Sequence, residues 1–430
     1  MKNIRTVILL SLIVIGLCPR VTLAQNTNGN GEEVAGEKPA DSLPLPGQPY
    51  ENRPKFGKGQ QPAFKGQTRI GAVVTTTPYK VQVITSKLNK PWGLAFIPDG
   101  RMLITEKRGS LRLVSQDGSV GNKIDGLPDK IFYGGDAGLL DIAIDPAFAT
   151  NRNIYFTYVE EKGNGGTGLV VSSAKLSIDE KKLEQVTKIY QVNDSTGGGS
   201  AHYGSRLLFD KSGKLMVSIS ERMFVHTREK SQWLSSQMGK IIRINTDGTA
   251  AAGNPKFSAD SVNALPEIWA LGVRNPQGMA WNPLTGDLWE DEHGTQGGDE
   301  VNIVRPGKNY GWPLVAYGVE YTWKPIGNSI TKKAGIEQPI YYWDPTVAPS
   351  GCTFYTGNAI PEWKNNMFIA TLAGEHIIRL VIKDDKVIGE ERLLLDQKQR
   401  MRNVTMGPDG NLWVISDMDN GKLIKISKKD

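Results

Sequence analysis

The chain of 430 residues holds only two cysteines, Cys18 and Cys352. Cys18 falls in an apolar leader, so Cys352 stands alone in the remainder and no intrachain disulfide can form there. Stability must come from packing or a bound metal, and Cys352 reads as a small buried apolar residue. Histidine is scarce too. His202, His226, His293 and His376 share no metal-ligand spacing, which argues against a histidine zinc site. Charge of one sign is modest. The net charge is +6, and Lys2, Arg5 and Arg20 of the leader supply three of the six, leaving +3. That is not the footprint of a nucleic-acid binder. Walker, Rossmann, GxSxG and CxxC motifs are missing. The glycine-rich runs Gly163–Gly168 and Gly197–Gly199 lack the lysine or helix of a phosphate cradle.

Long apolar runs are missing as well, apart from Val7–Leu17. At about 11 residues this run is too short to span a bilayer comfortably. It follows a basic start and precedes Thr22 and Ala24, so residues 1–24 read as a signal peptide cleaved after Ala24. An uncleaved anchor is the alternative. A lipoprotein signal would want Gly, Ala or Ser where Leu17 stands before Cys18. The expectation is a periplasmic or secreted protein with no stable membrane insertion. Residues 25–67 are polar and rich in Gly, Asn, Pro, Gln and Lys, and read as a disordered linker.

From residue 68 to 430 the pattern is β, without long helical periodicity. Apolar runs such as Tyr79–Ile84 and Leu111–Val114 are bounded by Gly, Asp, Asn and Pro. A small residue, an apolar strand, a D/N/P/G turn and a second apolar strand recur from Pro91, Gly138, Gly204, Pro276, Gly351 and Arg402. Spacings of about 47 to 75 residues suit four-stranded blades with variable loops. One such sheet cannot bury both faces, whereas a ring of six does. The expected fold is all-β: a six-bladed β-propeller of four-stranded antiparallel blades, with Thr75–Ile84 lending a strand to the last blade. A pair of β-sandwiches is the alternative.

In such a ring, residues beside the first strand of each repeat converge on the channel. Here they are Asp136, His202, Arg206, Arg274, Asn275, Arg400 and Arg402, a set suited to an anionic ligand. His202 is a natural base near neutral pH, and Glu221, at the end of the next strand, is placed to orient it. Without that partner it is a loop histidine with no role. Glu290–Asn302 is acidic and glycine-rich, either a hard-cation loop or a solvated turn, and it lacks EF-hand spacing. Arg400 and Arg402 alternate along a strand and so share a face, as a guanidinium pair or as plain surface arginines. Tyr321 and Trp323 are either a wall for a ring-shaped ligand or aromatic packing.

The segments PWGLAFIPDGRMLITEKRGSLRLV, GLLDIAIDPAF, HYGSRLLFDKSGKL, EIWALGVRNPQGMAWNP, HGTQGGDEVNIVRPGKNYGWPL and RMRNVTMGPDGNLWV lie in order over residues 75–428. Together they resemble the soluble periplasmic aldose sugar dehydrogenases of the pyrroloquinoline quinone (PQQ)-dependent glucose/sorbosone dehydrogenase family. The resemblance implies PQQ in the channel mouth, held with Ca²⁺. It implies His202 as the base taking the proton of the sugar C1 hydroxyl while hydride passes to PQQ, with Glu221 orienting it. It implies Arg274 and Asn275 on PQQ, Arg400 and Arg402 on its carboxylates, and Tyr321 and Trp323 as the aromatic wall. It implies Gly294 and Thr295 as carbonyl ligands of Ca²⁺, with Glu300 and Tyr310 as further metal ligands. Substrates would be aldoses, and electrons would leave to an external acceptor, a cytochrome or a dye. Specificity is expected in loops such as Gly163–Gly168, Met223–Trp233 and Trp323–Glu337.

Two positions depart from the family pattern. Ala373 stands where the family has a PQQ-binding lysine, and Asp136 stands where it has a glutamine. The first loses a positive charge at the expected cofactor site and the second adds a carboxylate there. A Ca²⁺-dependent lactonase using Asp136 and Asn275, and a non-catalytic sugar-binding propeller, therefore stay open as alternatives.

Overall fold

The computed structural model describes residues 43–193, 199–257 and 263–430. The expected signal peptide and the first part of the expected linker, residues 25–42, lie outside them. The described residues form six four-stranded antiparallel sheets. Their innermost strands are Pro91–Phe96, Leu139–Ile144, Gly204–Phe209, Pro276–Trp281, Pro349–Phe354 and Met401–Met406, each within two residues of a repeat start read from the sequence. Each packs on the next and the last packs on the first, which closes a six-bladed β-propeller.

The apolar residues explain the ring. Six clusters fill the six gaps between neighbouring blades. One joins Leu103 and Leu111 to Phe156 and Val170, and another joins Trp289 and Val301 to Ile369 and Leu380. Each sheet is thus apolar on both faces, and a ring buries both without leaving an open face. Strand Tyr79–Leu88 pairs antiparallel with Gly421–Lys428, so a strand ahead of the first blade completes the last one, as the sequence suggested, though it begins four residues later than the expected Thr75 and runs on to Leu88.

Every innermost strand shifts register against its neighbour within its first few residues, at Pro91/Leu94, Leu139/Ile142, Gly204/Leu207, Pro276/Gly278, Pro349/Cys352 and Met401/Asn403. Such irregularities re-aim side chains. They ring the end of the channel where the candidate residues lie.

The linker boundary at residue 67 does not hold. Residues 43–67 lie along the fourth and fifth blades, with Glu51, Gln60 and Gln67 buried. Backbone N–H groups of Phe56 and Gly57 each donate to the Asp344 carboxylate at 2.9 Å, and the Gln67 amide donates to Pro339 O at 2.8 Å. Composition misled here because the segment is anchored by amides and carboxylates rather than by apolar side chains.

Candidate active site

His202 opens the third blade with its backbone in the left-handed region, at φ 53°. Two bonds fix it. Its N–H donates to Asp136 Oδ2 at 2.9 Å, and its Nδ1 lies 3.1 Å from Glu221 Oε1. Glu221 Oε1 also accepts the Met223 N–H at 2.9 Å, so it acts as acceptor and Nδ1 carries the proton. Nε2 is then the basic nitrogen. Burial and then the Arg274 charge lower the His202 pKa below its ordinary value, against the opposing pull of Glu221 and Asp136. The ring is therefore neutral at pH 7, the form a base needs.

Arg274 and Asn275 sit where the third blade passes to the fourth. Both backbone N–H groups donate to Glu292 Oε2. The Arg274 guanidinium donates to the carbonyls of His293, at 2.9 Å, and Gly294, approaches the Tyr321 hydroxyl at 3.4 Å and lies over the Trp312 ring. Asn275 Oδ1 accepts the Gly204 N–H at 3.2 Å, tying this blade to the one that carries His202. His293 Nε2 donates to Pro349 O at 2.8 Å. Burial, followed by His202 and Arg274, pushes its pKa down to about 3, so it stays neutral.

Opposite lie the arginines of the last blade. Arg402 donates to Asp417 Oδ2 at 2.6 Å and more distantly to Gln277 Oε1 at 3.3 Å, and its Nε is buried without a partner among the described residues. Arg400 Nε lies 3.9 Å from the same carboxylate. Burial alone would raise Asp417, but Arg402, Lys107 and Arg400 hold it well below the usual carboxylate range.

The expected metal residues gather round a small cavity of about 20 Å³, lined by Thr295, Glu300, Glu292, Gly298 and Tyr310 among others. Glu292 and Glu300 face each other across adjacent strands, with Glu290 opposite Asn302 on the same face. Glu290 Oε2, Asn302 Oδ1 and Thr295 Oγ1 are buried without partners among the described residues. Burial, reinforced by mutual repulsion, lifts Glu290 and Glu300 well above the ordinary range; burial chiefly lifts Glu292 to about 7. That set of unmatched oxygens suits a hard cation such as Ca²⁺, but Arg274 and His293 line the same cavity and, among the described residues, no three His, Cys, Asp or Glu side chains converge as a metal-binding group. The Tyr310 side chain does not belong to that set. Its hydroxyl donates to Ile303 O at 2.6 Å and accepts the Arg305 N–H at 2.8 Å, leaving only its backbone carbonyl as a ligand.

Arg206 departs from expectation. Its guanidinium pairs with Asp141 at 2.9 Å and Gln277 O at 2.8 Å, and it lines a cavity of about 390 Å³. That cavity is bounded by Phe209, Trp281, Phe354 and Met406, the last residues of four innermost strands, and so lies at the other end of the channel. Sequence reasoning missed Lys107, Glu292, Asp417 and Arg222. Lys107 is buried with Nζ 2.5 Å from Gly135 O. Arg222 binds Thr167 O, Gly199 O and the Tyr203 hydroxyl, and lies over the Tyr203 ring. The one available signal was position, since Lys107 and Asp417 directly follow the second strand of a blade and Arg222 lies three residues past the end of another.

The family model described as Glucose / Sorbosone dehydrogenase matches residues 88–425. The chain belongs to the glucose/sorbosone dehydrogenase family. It is 38% identical over 352 residues to the aldose sugar dehydrogenase YliI of Escherichia coli, covering 81% of this chain and 93% of that protein. It is 26% identical over 427 residues to quinoprotein glucose dehydrogenase B of Acinetobacter calcoaceticus, covering 78% and 85%. The crystal structure of the soluble aldose sugar dehydrogenase from E. coli in its apo form superposes with a TM-score of 0.76 at 37% identity, over 82% of this chain and all of that one. The PQQ-bound aldose sugar dehydrogenase of Streptomyces coelicolor shares the fold, with a TM-score of 0.65 at 24% identity over 82% and 99% of the two chains. Among the described residues no helix is long and apolar enough to cross a membrane.

Proposed function

We propose that this family member oxidises the C1 hydroxyl of aldose sugars to lactones with PQQ as hydride acceptor, Ca²⁺ as structural and electrostatic partner, and His202 as general base. The observation that carries the reading is the His202–Glu221 bond of 3.1 Å, which leaves a neutral imidazole with a basic Nε2. PQQ, when bound, supplies a quinone that accepts the hydride from C1. His202 Nε2 takes the hydroxyl proton as the carbonyl forms, and Glu221 stabilises the resulting imidazolium through Nδ1–H. Asp136 holds the His202 backbone, and the two carboxylates together offset the new charge.

The cofactor's carboxylates would meet Arg402, Arg400 and Asn275, and Arg274 would face the oxygen on which charge develops. Support comes from the unmatched Arg402 Nε and from the concentration of cations on one end of the channel. Ala373 adds no charge there, and the buried Lys107, beside Asp136 and Arg402, offers a cation from another blade. Ca²⁺ would be held by Glu300 with the carbonyls of Gly294, Thr295 and Tyr310. Tyr321 and Trp323, both partly exposed, would wall the sugar. Electrons would pass to an external acceptor such as a cytochrome or a dye, in the periplasm or outside the cell.

Reconstitution tests this. The metal-stripped chain is titrated with PQQ in excess Ca²⁺ while absorbance and aldose-dependent dye reduction are followed. Stoichiometric binding with sugar-driven reduction is expected, and His202→Ala should abolish the reduction while keeping PQQ bound. Full dye reduction by His202→Ala, or no PQQ binding at micromolar concentration, refutes the reading.

A further inference from the structure

The segment 43–67 lies ahead of the family match, which begins at residue 88. It nevertheless grips the loop that carries Tyr321 and Trp323. Phe56 meets the Trp323 ring edge-on, with centroids 5.1 Å apart and planes at 89°. The Phe56 and Gly57 N–H groups share the Asp344 carboxylate, which locks this stretch to the blade beneath. The Gln60 amide donates to Gly318 O at 3.1 Å at the start of the loop, and Thr331 Oγ1 donates to Gln61 O at 3.1 Å near its end. At Gly57 a Cβ would sit 2.7 Å from Tyr317 O, so only glycine allows this approach.

Trp323 needs such support. Its backbone is in the left-handed region, at φ 64°, a conformation that bulky residues rarely hold unless their surroundings impose it. The residue is 55% exposed, and among the described residues its one aromatic ring contact is with Phe56. On the loop itself, the Trp323 N–H donates to Glu320 O at 2.7 Å, and Glu320 pairs with Arg228 at 2.5 Å. Phe56 closes the remaining side. Tyr321, two residues away, reaches the Arg274 guanidinium at 3.4 Å, so the loop's position is passed on to the site.

We propose that residues 43–67 form a strap that sets the position of Trp323, and that Phe56 is thereby a positioning residue for substrate fit. Where this chain oxidises sugars, the strap determines how tightly the outer part of the sugar is walled. This rests on the sugar-oxidising reading above. The strap alters substrate binding and not the proton transfer at His202, which lies on another blade.

The test uses the full chain with Phe56→Ala, Phe56→Tyr, Trp323→Ala and the Phe56→Ala/Trp323→Ala double variant, reconstituted with PQQ and Ca²⁺. The readouts are KM and kcat for a monosaccharide and a disaccharide, and the rate of tryptic cleavage after Lys332 and Lys333 relative to cleavage elsewhere in the chain. Phe56→Ala should raise KM by roughly three- to tenfold, the span of one edge-to-face ring pair, with kcat within about twofold. It should speed loop cleavage, Phe56→Tyr should restore both, and the double variant should resemble Trp323→Ala alone. Unchanged KM in Phe56→Ala beside a raised KM in Trp323→Ala overturns the proposal, as do additive effects in the double variant. Should the wild-type chain oxidise no sugar, the sugar reading falls and loop cleavage decides the strap by itself: faster cleavage in Phe56→Ala upholds it and equal cleavage overturns it.

Discussion

Replacing Glu221 by glutamine tests the arrangement around His202 with the least disturbance. The two side chains are nearly isosteric, and Glu221 is buried behind the imidazole, so the fold should survive. Two effects follow. The charge-assisted bond at 3.1 Å is lost, and such bonds contribute about 1.5–3 kcal/mol. At about 1.4 kcal/mol per factor of ten, kcat should fall roughly ten- to a hundredfold. The glutamine amide can also donate to Nδ1, which moves the imidazole proton to Nε2 and removes the base; the fall is then larger.

The pH profile separates this from a packing defect. His202 already titrates below its ordinary value through burial and Arg274, while Glu221 pulls it upward. The base form is present above that lowered pKa, so wild-type activity should fall off only as pH drops through it, on the acid side of 6.5. Removing Glu221 takes away an upward pull, so the acid limb should move to still lower pH while the plateau falls. The assay is aldose-dependent dye reduction by the PQQ- and Ca²⁺-loaded protein between about pH 5 and 9. A kcat within twofold of wild type with an unmoved acid limb would refute the orienting role of Glu221.

Three further outcomes follow from the same geometry. Asp417 is held ionised by Arg402 and Lys107, so Asp417→Asn should destabilise the protein at pH 7 by about 3–5 kcal/mol, the cost of a broken buried pair. Its folded pKa is depressed, so the stability it contributes is present above the unfolded value near 4 and lost as pH falls through the folded value; the gap between variant and wild type in denaturant melts should begin to narrow below about pH 4 and close only as pH falls through that depressed value. Gly298→Ala should destabilise by 2 kcal/mol or more, because φ is +77° and a Cβ would sit 2.4 Å from Gly318 N; about 1–2 kcal/mol comes from the backbone conformation alone. A thermal shift matching wild type would exclude the close approach. Ca²⁺ at a hundred times its Kd should stabilise the chain by about 2.7 kcal/mol, and Glu300→Gln should remove most of that gain; equal Ca²⁺ shifts in both proteins would rule out Glu300 as a ligand.

The sequence by itself determined the ring. Six recurrences of apolar strand, turn and apolar strand fix sheets that are apolar on both faces, and only mutual stacking buries both. The closing strand and the neighbourhood of His202, Glu221, Arg274, Asn275 and Arg402 were legible for the same reason, since residues beside a blade's first two strands must face the channel end. What only the tertiary structure decided depends on contacts between distant segments. Arg206 points to the far cavity because Asp141 on a neighbouring blade captures it. The Tyr310 hydroxyl is taken by Ile303 and Arg305, a local loop geometry that no spacing rule reveals. Lys107 joins the site from the first blade. The segment 43–67 reads as disordered by composition, yet it is ordered by hydrogen bonds to residues some 250 to 290 positions away, among them Asp344, Gly318 and Pro339. Polar anchoring of that kind leaves no periodic apolar trace, so its pattern could not announce it.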